Sequence, residues 1–472
     1  MKNKSSKYKI QYAMISLLCV VSTFIIKPTS PDSGYRLLAL VGLIELISFE
    51  FFSTKCNGGR LSFASLFVPI LYVFHFGQVL LLGLFADQLD SVRIVLTYFS
   101  EEESFVGNRI MNLSFALICF GILCKAGYYT MPEVRVDNDS ELKFYIKTGK
   151  QIITFLFPIK VLIDAIFIYK SFTIGFLPST DWLSSFPDVI KTMGELSLIG
   201  FALLIIGYKN DKSCQRKVIL FILLYYLLLM TSGRRSENVA YICGFIFLFI
   251  RTCTSKIRLK TVILGALGGL FLLVILTTVR NLRDDSRSAA VIAQGFTESL
   301  YNPALLIDVL REFGDTGYTA LCVLFLWLPK FSPSFGASYL LGLSAILPNI
   351  GGLMGELSTQ SAFGIAMQEK GTLFSEYYNI GGSIIGELYF NFGITGGVIA
   401  SLFLGLFIGY FFDKVEKALY TSDYFKVVTY FLIICSITYW IRDSFVGGIR
   451  IAVWSVLLCS ILFGKRKRLQ NV

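Results

Sequence analysis

Apolar residues in this chain fall in unbroken runs of about 15–25, separated by short polar stretches rich in Lys and Arg. A helix needs about 20 apolar residues to cross the roughly 30 Å of bilayer hydrocarbon, and all its backbone polar groups are satisfied internally. Transmembrane barrels instead show short segments of alternating polarity, a pattern absent here. The runs predict spans near 10–26, 37–53, 61–86, 110–128, 151–170, 192–208, 218–231, 238–252, 261–279, 384–412, 425–441 and 449–463. The expected fold is therefore an all-α polytopic membrane protein of about twelve transmembrane helices. It divides into a nine-helix region (1–279), a large loop (280–383) and a three-helix region (384–472).

Charge gives these spans a direction. Cytoplasmic loops carry an excess of Lys and Arg, and the N-terminal Lys2, Lys4, Lys7 and Lys9 place the start of the chain inside. Twelve crossings return the C-terminal Lys465-Arg466-Lys467-Arg468 to the same side. Between them, the inside loops carry Lys55 and Arg60, Lys143 to Lys150, Lys209 to Lys217, Arg251 to Lys260, and Lys414 with Lys417. The outside loop at 87–108 holds Asp87, Asp90, Glu101, Glu102 and Glu103. The MKNKSSKYK start resembles a signal peptide, but no small-residue cleavage site follows, so it reads as a retained first helix.

Composition agrees with a membrane protein. Of 472 residues, 54% are hydrophobic and 16% charged, where soluble domains carry about 25% charged, and the mean hydropathy is +0.66. The net charge of +11 is accounted for by the loop flanks, so it calls for no nucleic acid partner. The ten cysteines are scattered without metal-ligand spacing, and one histidine, His75, excludes a multi-histidine metal site. Phosphate-binding Gly-rich loops, nucleophile elbows and dinucleotide fingerprints are also missing, which argues against an ATP-driven pump.

The loop of about a hundred residues at 280–383 is too long for a connector, so it is expected to fold and to work. Within it, 317–329 and 337–353 are apolar and Gly-rich, and Pro329, Pro333 and Pro348 break them. Both are short for a span. They are expected to lie on, or re-enter, the outer face of the membrane, or to form an extra hairpin.

Arginine is concentrated on the outer side of the C-terminal half, where topology asks for no positive charge: Arg234, Arg235, Arg280, Arg283, Arg287, Arg311, Arg442 and Arg450. Its planar fork suits phosphate or carboxylate. Arg280, Arg283 and Arg287 at i, i+3, i+7 would form one stripe if the preceding helix continues outward. Either they clamp an anionic group at the membrane surface, or they form a solvated helix end paired with Asp284 and Asp285. Arg234 and Arg235 occupy the tight turn Ser232–Glu237, while Arg442 and Arg450 flank Asp443, where a local ion pair is the alternative.

Within the spans, Lys160 and Asp164 lie i, i+4 on one helix face, and Glu45 and Glu195 are further carboxylates. Intramembrane charges are costly and are usually paired. A structural pair is one reading, and a proton relay in a transporter is the other. Glu387 lies about a turn inside the span after the loop, and Glu356, Glu376 and Glu387 are candidate proton acceptors. An interhelical hydrogen bond is the alternative for Glu387.

The many spans, the large loop near the C-terminal end, the SGRR turn at 232–235 and IIGELYFNFGITGG at 384–397 together resemble the Wzy-type O-antigen polysaccharide polymerases. The resemblance implies a membrane glycosyltransferase, similar to the O-antigen ligases, in the bacterial inner membrane. Its substrate would be an oligosaccharide repeat unit on undecaprenyl pyrophosphate, polymerised at the periplasmic face without metal or nucleotide sugar. A protein that sets chain length would be a partner. On this reading Arg234, Arg235, Arg280 and Arg283 would hold pyrophosphate, Arg287 and Arg442 would also bind the pyrophosphate or glycan, Glu387 or Glu376 would serve the acceptor, and Arg280 would be catalytic with them. The related ligases are thought to use a periplasmic-loop histidine as base, which this chain lacks. A ligase, a lipid-linked oligosaccharide flippase or other secondary transporter, and a purely structural subunit are the alternatives.

Overall fold

The structure is a computed structural model and describes residues 2–85, 99–127, 129, 139–232, 234, 236–253, 294, 297, 305–347 and 381–470. Among these residues it is helical without strands. The helices are α1 (Lys2–Ile25), α2 (Pro31–Cys56), α3 (Ala64–Leu84), α4 (Glu101–Lys125), α5 (Asp139–Thr173), α6 (Phe176–Ser185), α7 (Asp188–Glu195), α8 (Ser197–Gly207), α9 (Lys212–Met230) and α10 (Ser236–Cys253). After them come α11 (Leu305–Cys322), α12 (Ala337–Ser344), α13 (Ile384–Tyr420), α14 (Tyr424–Trp440) and α15 (Phe445–Gln470). Nine stretches of the described residues are long and apolar enough to cross a membrane, counting α7 and α8 as one, and α14 is a shorter apolar helix. Eleven of the twelve expected spans coincide with described helices. The twelfth, 261–279, lies outside the described residues.

Helix starts follow local chemistry. Ser30 and Ser100 cap α2 and α4 in reciprocal capping boxes with Ser33 and Glu103. Ser383 caps α13 by accepting from Gly386 N, and Asp211 and Asp423 cap α9 and α14. The chain is inverted relative to a soluble protein: Leu17, Leu18, Phe155 and Phe403 face outward, while Glu45, Asn108, Gln215 and Glu387 are buried. That is the distribution expected where the solvent is lipid.

Glycines set the helix spacing. A Cβ on Gly121 of α4 would lie 2.7 Å from the Leu402 carbonyl of α13, and one on Gly409 of α13 would lie 2.8 Å from Ile122 Cα. Close backbone approach of this kind is what small residues give membrane helices. α13 is itself two helices joined at Gly393, whose φ of +70° is open to glycine. The first segment is wholly buried from Ile384 to Asn391.

The basic loops carrying Arg60, Lys209 and Arg251 meet at one end of the bundle. There Arg251 pairs with Glu416 and donates to the Leu61 carbonyl (2.6 Å). Tyr129 donates to Asp413 (2.6 Å), and Lys9 donates to the Cys124 carbonyl (2.8 Å). The opposite end carries the α9–α10 turn, the start of α13 and the α14–α15 turn.

The stretch expected to lie on or re-enter the outer face, or to form an extra hairpin, contributes a core helix. α11 runs on through one wider turn, Val323–Trp327, and residues Ala320 to Val323 are fully buried. Its glycines meet α3 directly: a Cβ on Gly314 would strike Gln78 and Gly77, and one on Gly317 would strike the His75 carbonyl. Gln78 Nε2 donates to Asp315 (2.5 Å) and to the Arg311 carbonyl (3.2 Å). Residues 317–329 thus form the second half of a helix wedged between α3, α4 and α13. The rest of the expected loop, 280–304 and 348–380, lies outside the described residues save Gln294 and Thr297.

Candidate active site

Pro158 interrupts the backbone bonding of α5 just before Lys160 and Asp164, which point into the protein one turn apart. Both are 3% exposed, and Lys160 Nζ lies 3.1 Å from Asp164 Oδ2. Helix α7 packs on this face because Gly194 has no side chain; a Cβ there would sit 3.1 Å from Lys160 Cα. The next residue, Glu195, consequently meets Lys160 Nζ through Oε1 at 2.6 Å.

Arg234 reaches the same group from the α9–α10 turn. Its Nη1 lies 3.0 Å from Asp164 Oδ1 and its Nη2 lies 2.6 Å from Glu237 Oε2. Tyr225 donates to Asp164 Oδ2 at 2.5 Å, and Asn238 holds the Arg234 carbonyl. Burial works against the guanidinium charge, but Glu237 and Asp164 outweigh it and raise the Arg234 pKa above its ordinary value.

These side chains line a polar cavity of about 270 Å³, closed on the far side by Lys191 and Thr192 of α7, Tyr439 of α14, and Gly447 and Arg450 of α15. Four cations and three carboxylates therefore face one space, at the end of the bundle opposite the basic loops. Arg450 is steered by the α12 carboxyl end, donating Nε to the Ala345 carbonyl (2.5 Å). Two apolar cavities lie beside it. One of about 620 Å³ runs between α13, α14 and α15 past Phe411, Tyr430, Ile437 and Val453. Another of about 550 Å³ lies along the α13 kink by Phe392 and Ile399. They share Phe407, Trp440 and Phe445. The paired Gly447 and Gly448 of α15 put one residue on the polar cavity and the next on the larger apolar one.

Of the candidate residues, the structure brings Arg234 together with Lys160, Asp164, Glu195 and Arg450. Arg442 stands apart, with its guanidinium 5.8 Å from the Phe74 ring centroid. Asp443 accepts from Tyr439 (2.5 Å) and from Ser444 N (2.7 Å), with no ion pair to Arg442 or Arg450 among the described residues. Burial raises the Asp443 pKa, partly offset by those donors. Arg235, Arg280, Arg283, Arg287, Glu356 and Glu376 lie outside the described residues.

Glu387 sits deep in the protein, away from the polar cavity. Its Oε2 accepts from Trp440 Nε1 (2.6 Å) and from Phe445 N (3.0 Å), and its Oε1 accepts from Ser338 (3.3 Å). It ties α12, α14 and α15 to α13. A neighbouring pin joins His75 Nε2 to Ser383 Oγ at 2.9 Å, with the other ring nitrogen on the Leu71 carbonyl. For an anchor, Glu387→Gln should be mild, because its amide oxygen can replace Oε2 and its NH2 can donate to Ser338. Glu387→Ala leaves two buried donors unsatisfied, at about 1–3 kcal/mol each. Thermal unfolding with chain-length gels reads both effects; a folded but inactive Glu387→Gln protein would instead mark Glu387 as a base.

Lys191, Thr192 and Glu237 were not singled out from the sequence. The signal was present: Lys191 and Glu195 are spaced i, i+4 in a short stretch that reads instead as the approach to a span. Among the described residues no group of three or more His, Cys, Asp or Glu side chains is arranged to hold a metal ion. The cavity's three carboxylates are bridged by Lys160 and Arg234, and Lys191 and Arg450 add two further cations to its wall.

The O-antigen polysaccharide polymerase Wzy family matches residues 12–468. The chain belongs to that family. Neither a curated protein nor a solved structure matches it. Membership makes the protein an O-antigen polymerase of the membrane, in a family that acts on lipid-linked oligosaccharide repeat units. The buried helices and the polar cavity are the features on which its chemistry has to be placed.

Proposed function

We propose that this polymerase joins repeat units carried on undecaprenyl pyrophosphate at the periplasmic face of the inner membrane, with both of its termini in the cytoplasm. The observation that carries this reading is the polar cavity lined by Arg234, Lys160, Lys191 and Arg450, at the end opposite the basic loops and beside two apolar cavities. Pyrophosphate is the polar, anionic part of such a donor, and its isoprenoid chain is the apolar part. In the proposed complex Arg234 holds the pyrophosphate, and the chain lies in the α13–α15 groove. Positive groups fixed where charge develops favour departure of the pyrophosphate as the glycosidic bond breaks. The growing glycan passes to the non-reducing end of the next unit. Arg235, Arg280, Arg283 and Arg287 are assigned to the same pyrophosphate from their sequence pattern.

Deleting the gene in its host and resolving the surface polysaccharide by gel tests the activity. The expected result is loss of the long-chain ladder with one repeat unit still on the lipid core. Lipid core without any repeat unit would point to a ligase or a flippase and contradict the reading.

A further inference from the structure

The three carboxylates of the polar cavity are not equivalent. Asp164 has both oxygens engaged, by Lys160 and Tyr225 on Oδ2 and by Arg234 on Oδ1. Glu237 is bound to Arg234 through Oε2. Glu195 binds Lys160 through Oε1, yet its Oε2 is buried and has no hydrogen-bond partner among the described residues. A buried carboxylate oxygen without a donor costs free energy, and native structures retain such a group where something else completes it.

We propose that Glu195 Oε2 receives the attacking hydroxyl of the acceptor sugar and acts as general base in the transfer. This rests on the proposed function, which puts the donor pyrophosphate in the same cavity. The acceptor oxygen forms a bond to the anomeric carbon of the donor sugar as the bond from that carbon to the pyrophosphate oxygen breaks. The pyrophosphate leaves with the bonding electron pair, held by Arg234. The hydroxyl proton passes to Glu195 Oε2 and from there to water at the cavity mouth. Lys160 orients the carboxylate through Oε1, and Gly194 lets α7 approach closely enough to place it. Among the described carboxylates of the site, Glu195 alone combines a position on the cavity with an unpartnered buried oxygen; Glu387 spends both of its oxygens on α12, α14 and α15.

The test separates binding from turnover. Full-length Glu195→Gln and wild-type protein are purified, and binding of undecaprenyl pyrophosphate is measured. Chain extension is measured in membranes loaded with lipid-linked repeat units from a polymerase-deficient strain. The variant is expected to bind within about twofold of wild type and to extend chains at least about 100-fold more slowly, the scale of a lost general base. Extension within about threefold of wild type overturns the proposal, and so does loss of binding, which would make Glu195 part of the donor site. If Glu195→Gln does not accumulate in folded form, Glu195→Asp decides, because it keeps the charge but withdraws the oxygen. A drop of about tenfold or more supports the role, and a wild-type rate overturns it. Arg234→Ala run in parallel reports on the proposed function alone: if it binds undecaprenyl pyrophosphate like wild type, that reading fails independently of Glu195.

Discussion

Cells carrying Arg234→Ala in place of the wild-type polymerase are expected to lose the long-chain ladder and to keep lipid core bearing one repeat unit. The arginine joins two carboxylates from different helices, Asp164 at 3.0 Å and Glu237 at 2.6 Å, and lines the cavity. In the proposed complex, removing it subtracts a fixed positive charge from the point where the leaving pyrophosphate gains charge. Loss of one such preorganised donor typically costs about 10²–10³ in rate. Arg234→Lys keeps the charge but loses the planar two-pronged geometry, so it should retain only a small part of the activity. Immunoblotting of the membrane fraction must show equal protein. A normal ladder from Arg234→Ala at equal protein would remove Arg234 from the mechanism.

The largest effect on folding is expected at the α3–α11 crossing. A side chain at Gly314 would run into backbone, with Gln78 N and Gly77 closest, and backbone cannot rotate aside as a side chain can. Overpacking in a filled core costs about 1–3 kcal/mol and sometimes more, and here α11 must separate from α3 to relieve it. Gly314→Leu should therefore lower the yield of detergent-extracted, monodisperse protein and its thermal midpoint. Gly464, near the end of α15, has open space around it, so Gly464→Ala is the control and should behave as wild type. Equal stability of the two variants would show that α11 is not held against α3 in this way.

Most of the fold was legible in the sequence because membrane helices declare themselves by length and apolarity. Helix α11 did not, for a physical reason. Asp308, Arg311, Glu312 and Asp315 break its hydropathy, and its contact with α3 runs through Gly314 and Gly317, which add little apolar signal. Only its apolar second half, 317–329, read as a helix, lying on or re-entering the outer face or forming an extra hairpin. The site was legible in pieces. The i, i+4 spacing of Lys160 and Asp164 gave their pair, and the arginines in the α9–α10 turn stood out against the charge rule. That Arg234 completes the Lys160–Asp164 pair could not be read, because 70 residues separate it from Asp164 and the fold supplies the contact. Glu387 drew attention as a carboxylate just inside a span. Its bonds to Trp440 and Phe445 come from a different helix pair that no local pattern announces.

The most direct measurement is the affinity of the purified, detergent-solubilised protein for undecaprenyl pyrophosphate, wild type against Arg234→Ala, with thermal stability matched. The account predicts that the variant binds at least about tenfold more weakly, a difference of about 1.4 kcal/mol. Equal affinity in the two proteins would contradict it and move the pyrophosphate out of the Arg234 cavity.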